Sequence, residues 1–171
     1  MKNIKNLFVI LILVFVFSSI NSAQNITLSS LGGDDISIES HKGKVVVLAI
    51  GATWLPLSKN QAIVTNKLAK KYAGRDVVIY FVATDSTSAK SKNYASSEQI
   101  QAFITQNKLT SSILRDSDGG ATLKKFKIDQ LPAFIVFDKQ GKAAAEAYGG
   151  LTPKAEDELI AQISRKIDEI L

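Results

Sequence analysis

Cysteine is absent from the 171 residues, histidine occurs once and proline three times. The first absence excludes the most. A chain without cysteine forms no disulfide, so its domain must be held together by its core alone. It offers no thiolate for nucleophilic, peroxidatic or dithiol chemistry, and it carries no lipid on a cysteine behind a leader. No residues stand at a zinc-binding spacing. Asp116-x-Asp118-Gly119 opens like a calcium loop but lacks the remaining ligands, and reads as a plain turn. His41 is the only imidazole. It precedes the apolar run 45–50 and is expected at the end of that strand away from Ser58, which leaves a serine nucleophile without a base. There are no internal repeats and no low-complexity linker. With 46% apolar residues, a chain of this length suits one well-buried domain.

What is present begins with Lys2 and Lys5, an unbroken apolar run from Leu7 to Phe17, and then Ser18-Ser19-Ile20-Asn21-Ser22-Ala23. A basic start, a short apolar core and small residues before a cut describe a secretory signal peptide. Residues 1–23 are read as that leader and 24–171 as the mature domain, placed in the periplasm or outside the cell. The run is shorter than the roughly 20 apolar residues of a spanning helix; an uncleaved membrane anchor is the alternative. The formal charge of +5 falls to +3 once Lys2 and Lys5 are gone. The remaining lysines are scattered and no aromatic stripe accompanies them, so they read as a solvated face rather than a nucleic-acid site.

Periodicity then sets the elements. Ile26-Thr27-Leu28 and Ile36-Ser37-Ile38 around Gly32-Gly33-Asp34-Asp35 predict a small edge hairpin. Val45 to Ile50 and Val77 to Ala83 are continuous apolar runs, typical of strands covered on both faces. Ser58 to Tyr72 reads as a helix with Ala62, Ile63, Leu68 and Tyr72 on its buried side. Residues 84–95 are polar and read as a loop. Ser96 and Gln99 have capping-box spacing ahead of a helix whose stripe is Ile100, Phe103 and Ile104. A short strand is expected around Ile113-Leu114, and a brief helix from Ala121 to Phe126. Ala133 to Phe137 and Ala143 to Tyr148 are expected to pair as a hairpin across Lys139-Gln140-Gly141-Lys142. Pro153 opens the last helix, lined by Leu159, Ile160, Ile163, Ile167 and Ile170. Strand, helix, strand, helix, hairpin and closing helix make an α/β sandwich with a mixed sheet.

Three stretches carry a resemblance. "HKGKVVVLAIGATWLPLSKN", residues 41–60, is similar to the Lys-Gly-Lys, apolar strand and Ala-Thr-Trp-Cys-x-x-Cys of the TlpA-like, or redoxin, branch of the thioredoxin superfamily. "DSDGGATLKKFKIDQLPAFIVFDKQGK", residues 116–142, looks like that family's short helix, its proline before a strand and its glycine hairpin. Gly149-Gly150 before the final helix is the third match. The resemblance implies a thioredoxin-like fold, a central mixed β-sheet flanked by helices with an N-terminal edge hairpin. It puts Leu55 and Ser58 in the seats of the two thiols and Pro56 in the active-site turn. Pro132 stands in the place of the family's cis-proline, which faces that turn across a groove.

In this family the first cysteine sits at a helix N-terminus, where free N–H groups and the helix dipole favour the thiolate; the second resolves the mixed disulfide. Leucine has neither a lone pair to give nor a proton to lose, so dithiol catalysis is expected to be absent, with no catalytic residue, metal or cofactor. Ala49 stands where thioredoxins proper keep a buried acid, and Thr53 is not followed by the cysteine that peroxiredoxins need. Ser58 with Gln61 has capping-box spacing; if the helix starts nearer Leu55, Ser58 falls inside its first turn instead. Trp54, Leu55, Pro56, Leu57, Leu131 and Pro132 are expected to converge as an apolar, inert groove for a peptide or protein partner in the cell envelope. Packing of Trp54 and Leu57 into the core is the competing reading. Two other functional readings stand beside it: a thiol-disulfide oxidoreductase family member with a residual redox role using an external thiol, and a homo-oligomer contact at the same patch.

Overall fold

A computed structural model describes residues 26–171; the expected leader, 1–23, lies outside the described residues. The elements are β1 (Thr27–Ser30), β2 (Asp35–Ser37), β3 (Val45–Gly51), α1 (Ser58–Lys71), β4 (Val77–Ala83), α2 (Ser97–Gln106), β5 (Ser112–Arg115), β6 (Ala133–Phe137) and α3 (Glu156–Ile170). They form one six-stranded sheet in the order β2-β1-β5-β4-β3-β6. β3 and β4 run parallel, as do β4 and β5, while β6 lies antiparallel to β3 and β1 antiparallel to both β5 and β2. The sheet is mixed, and the N-terminal hairpin lies at its edge.

β3 is central, and all seven of its residues are buried, as an uninterrupted apolar run requires. Its side chains alternate between two cores. Val45, Val47 and Ala49 pack with Val64, Leu68 and Tyr72 of α1 and its end, and with Leu159, Ile163 and Ile167 of α3. Val46, Leu48 and Ile50 pack on the other face with Ile26, Leu28, Ile38 and Phe137. Each such fully buried aliphatic side chain contributes about 1.5–3 kcal/mol. α2 adds Ile100 to Phe81 and Ala83 of β4. The second face is covered by the 3₁₀ turn Ile38–His41 and by partly buried Leu123, Phe126, Ile128 and Leu131.

Four element expectations are corrected. Residues 121–127 form successive turns rather than a helix. The Asp116 carboxylate takes the N–H groups of Ala121 and Thr122, and Lys127 sits at φ 53, so isolated turns form without the run of bonds that a helix needs. Residues 143–148 lie antiparallel to β6 as expected but form no regular strand: the pairing is made at isolated bridges, Phe137 to Ala143 and Phe134 to Tyr148, and Ala-Ala-Ala-Glu-Ala-Tyr has little of the β-branched content that favours a continuous one. α3 starts at Glu156, three residues after Pro153, behind the cap residue Ala155; Glu156, Asp157 and Glu158 in its first turn favour that start through the helix dipole. On α1 Ala62, Leu68 and Tyr72 are buried as expected, joined by Ser58, Gln61, Val64 and Thr65, but Ile63 lies off that side, 36% exposed.

Candidate functional site

The turn 52–57 joins the C-terminal end of β3 to α1. Leu55 N–H donates to Ala52 C=O at 3.1 Å, and Ser58 N–H to Leu55 C=O at 3.0 Å. Trp54 stands out of this turn, 53% exposed, which rules out its burial in the core. Pro56 is exposed, while Leu55 and Leu57 are half-buried. Leu55 therefore ends in the entry turn of α1, where a thiolate would gain from the helix N-terminus, but it carries only methyl groups there.

Ser58 is fully buried, and its hydroxyl donates to Ala52 C=O at 2.5 Å. The capping-box reading is corrected: Leu57 is the cap residue of α1 and makes no side-chain bond, and Ser58 is the first residue of the helix. Ser58 faces back under the turn, so its Oγ satisfies a strand-end carbonyl rather than a helix N–H. Gln61, its expected partner, is fully buried with both amide atoms lacking a protein hydrogen-bond partner. It occupies the space left by Gly51, where a Cβ would stand 2.0 Å from its Oε1.

Leu131 and Pro132 come in from β6. Ile50 pairs with Ala133, so Pro132 adjoins the strand end from which the turn departs. The Leu131–Pro132 peptide bond is cis. Pro132 is buried, and half-buried Leu131 turns partly into the second core. A cavity of about 350 Å³ opens beside the start of β6, lined by Phe126, Ile128, Asp129, Ala133, Glu146 and Gly149 among others.

Sequence reasoning missed the acid that supports the turn. Asp85, just beyond β4, is fully buried. Its carboxylate accepts the Thr53 N–H at 3.1 and 3.0 Å and the Thr53 hydroxyl at 2.6 Å. Within the polar stretch 84–95 nothing local distinguishes it; only the parallel pairing of Gly51 with Ala83 reveals it.

The remaining candidates resolve simply. His41 lies before β3 and Ser58 after it, with a strand of about 20 Å between them, so no serine–histidine pair forms. His41 Nε2 is instead 2.9 Å from the Tyr80 hydroxyl. Burial, then Lys44, holds its pKa below the usual 6.5, while burial pushes the Tyr80 phenol above 10.0. Asp116 binds Ala121 N–H, Thr122 N–H and the Thr122 hydroxyl, and Asp118 accepts from Ser86 and Ser117. These carboxylates close turns, and among the described residues no cluster of His, Cys, Asp or Glu fits a metal. Among the same residues no helix is long and apolar enough to cross a membrane.

A mixed six-stranded sheet with a strand–turn–helix at its centre is a thioredoxin-like fold. The pneumococcal exposed lipoprotein thioredoxin of Streptococcus pneumoniae superposes on it with a TM-score of 0.62 at 22% identity, covering 82% of this chain and 98% of that one. The chain belongs to the AhpC/TSA family, whose model matches residues 20–146. It is 28% identical over 142 residues to the thiol-disulfide oxidoreductase ResA of Bacillus thuringiensis subsp. konkukian, 83% of this chain and 76% of that protein. It is 30% identical over 132 residues to the thioredoxin-like protein YneN of Bacillus subtilis, 77% and 72%. The family is thiol-disulfide oxidoreductase-like, and this member has no cysteine.

Proposed function

We propose that this chain is a non-catalytic binding module, a thioredoxin-fold protein without a dithiol that holds a peptide or protein partner through Trp54, Leu55, Pro56, Leu57, Leu131 and Pro132. One observation carries the reading. Of the two seats where relatives need sulfur, one holds a leucine and the other a buried serine whose hydroxyl is spent on Ala52 C=O, while the tryptophan beside them is half exposed. An exposed indole next to exposed proline and half-buried leucines is the composition of an anchor at an interface. The leader-like N-terminus and a structural neighbour named as an exposed lipoprotein support a place in the cell envelope.

The test has two arms. Insulin reduction by dithiothreitol is expected to run at the buffer rate with the protein present; an acceleration would favour the residual redox reading that the relatives' names suggest. Capture from an envelope extract is expected to yield partners that Trp54→Ala loses while its melting temperature stays that of wild type. Identical partner sets for the two proteins would sink the docking proposal. Light scattering at two concentrations separates it from self-association.

A further inference from the structure

Burying a carboxylate is costly unless hydrogen bonds replace its water. Asp85 is 0% exposed, and the bonds to its carboxylate come from one residue 32 positions away, Thr53 of the turn, through N–H and hydroxyl together. Its neighbour Thr84 grips the same turn one step earlier, donating N–H and hydroxyl to Gly51 C=O at 2.7 and 3.0 Å. Two consecutive residues after β4 thus bracket Ala52, and the next residue beyond the bracket is Trp54, the only tryptophan in the chain. A carboxylate suits this place because both its oxygens accept and neither donates.

We propose that Asp85 is a positioning residue: through Thr53 it sets the direction in which the Trp54 indole is presented, so that a partner meets a preformed anchor rather than a mobile one. The proposal rests on the reading of this turn as a docking site, but its test needs no partner. Trp54 is the sole indole, so its acrylamide quenching and emission anisotropy report the turn directly.

Four variants are compared with wild type at temperatures where circular dichroism shows all of them folded. Thr53→Ser keeps both donors, Thr53→Val removes the hydroxyl at nearly constant volume, and Asp85→Asn turns an N–H donor toward the Thr53 N–H. Asp116→Asn alters another buried acid that does not bond the turn. Losing a hydrogen bond to a charged acceptor raises the population of the released turn about tenfold. Thr53→Val and Asp85→Asn are therefore expected to quench more steeply, with lower anisotropy, while Thr53→Ser and Asp116→Asn match wild type. Wild-type quenching in Thr53→Val and Asp85→Asn, or an equal change in Asp116→Asn, would overturn the proposal. Should Asp85→Asn not fold, the Thr53→Ser and Thr53→Val pair decides alone. If the clamp variants move Trp54 as expected but Trp54→Ala loses no partner, the docking reading fails and the positioning role stands.

Discussion

At Leu55 and Ser58 the backbone spacing of a dithiol turn is kept while both thiols are missing. The bond from Ser58 N–H to Leu55 C=O is that of a turn, which keeps the two Cα atoms within about 7 Å, close to the span that a disulfide bridges. The double variant Leu55→Cys, Ser58→Cys is expected to close an internal disulfide in air: thiol titration should find two groups in the reduced protein and none in the oxidised monomer. Persistent free thiols would mean that the side chains have diverged from bridging directions. Gln61 offers a second residue-scale test. An amide buried without a protein partner costs about 1–3 kcal/mol, and methionine fills similar volume without polar hydrogen bonds. Gln61→Met is expected to raise the denaturation midpoint, by about 1 kcal/mol in stability, and a lower midpoint would show that the amide is satisfied after all. Neither the orphaned Gln61 nor the Asp85 clamp was legible from local sequence, because both depend on which strand end faces the turn.

Among the elements, two boxes of the same spacing had different fates. At α2, Gln99 N–H donates to Ser96 Oγ at 3.2 Å and Ser96 N–H to Gln99 Oε1 at 2.8 Å, so the sequence pattern and the cap agree. At α1 the serine is turned away by a strand-end carbonyl. Ser96→Ala is accordingly expected to cost about 1 kcal/mol, read from urea unfolding with the slope unchanged; a cost near zero would mean that packing of Ile100 alone fixes the start of α2. The strands were legible wherever apolar residues rich in valine and isoleucine ran unbroken, as in β3 and β4. At 143–148 the expected antiparallel partner of β6 is there but reduced to two bridges, because alanines give too little side chain for a regular strand.

The whole molecule ties its two ends to different chemistry. The turn with Trp54 lies beyond the C-terminal end of β3, and the His41–Tyr80 contact is made from before its N-terminal end. Because the folded pKa of His41 is held below 6.5, the unfolded chain takes up this proton first as pH falls. The contribution is fully present above 6.5 and is lost as pH drops through the lowered folded value. Wild type is therefore expected to lose melting temperature between about pH 7.5 and pH 5 more steeply than His41→Gln. Parallel slopes would show that His41 does not titrate differently on folding. The α1–α3 contact, by contrast, owes little to its ion pairs: Lys67–Asp157 and Lys71–Asp168 are exposed and screened by water, while Leu68, Tyr72, Ile163 and Ile167 are buried together.

The amino-acid sequence by itself settled the class of fold and the loss of thiol chemistry, since apolar runs, helical stripes and the absence of cysteine are properties of order and composition. It also brought Trp54, Leu55 and Ser58 onto one turn, because they are neighbours in the chain. The tertiary structure decided which way each of them faces: Trp54 outward, Ser58 inward to Ala52 and Thr53 onto Asp85. The Ser58 bond spans six residues, but Asp85 is 32 positions from Thr53 and comes close only when β3 and β4 align their ends.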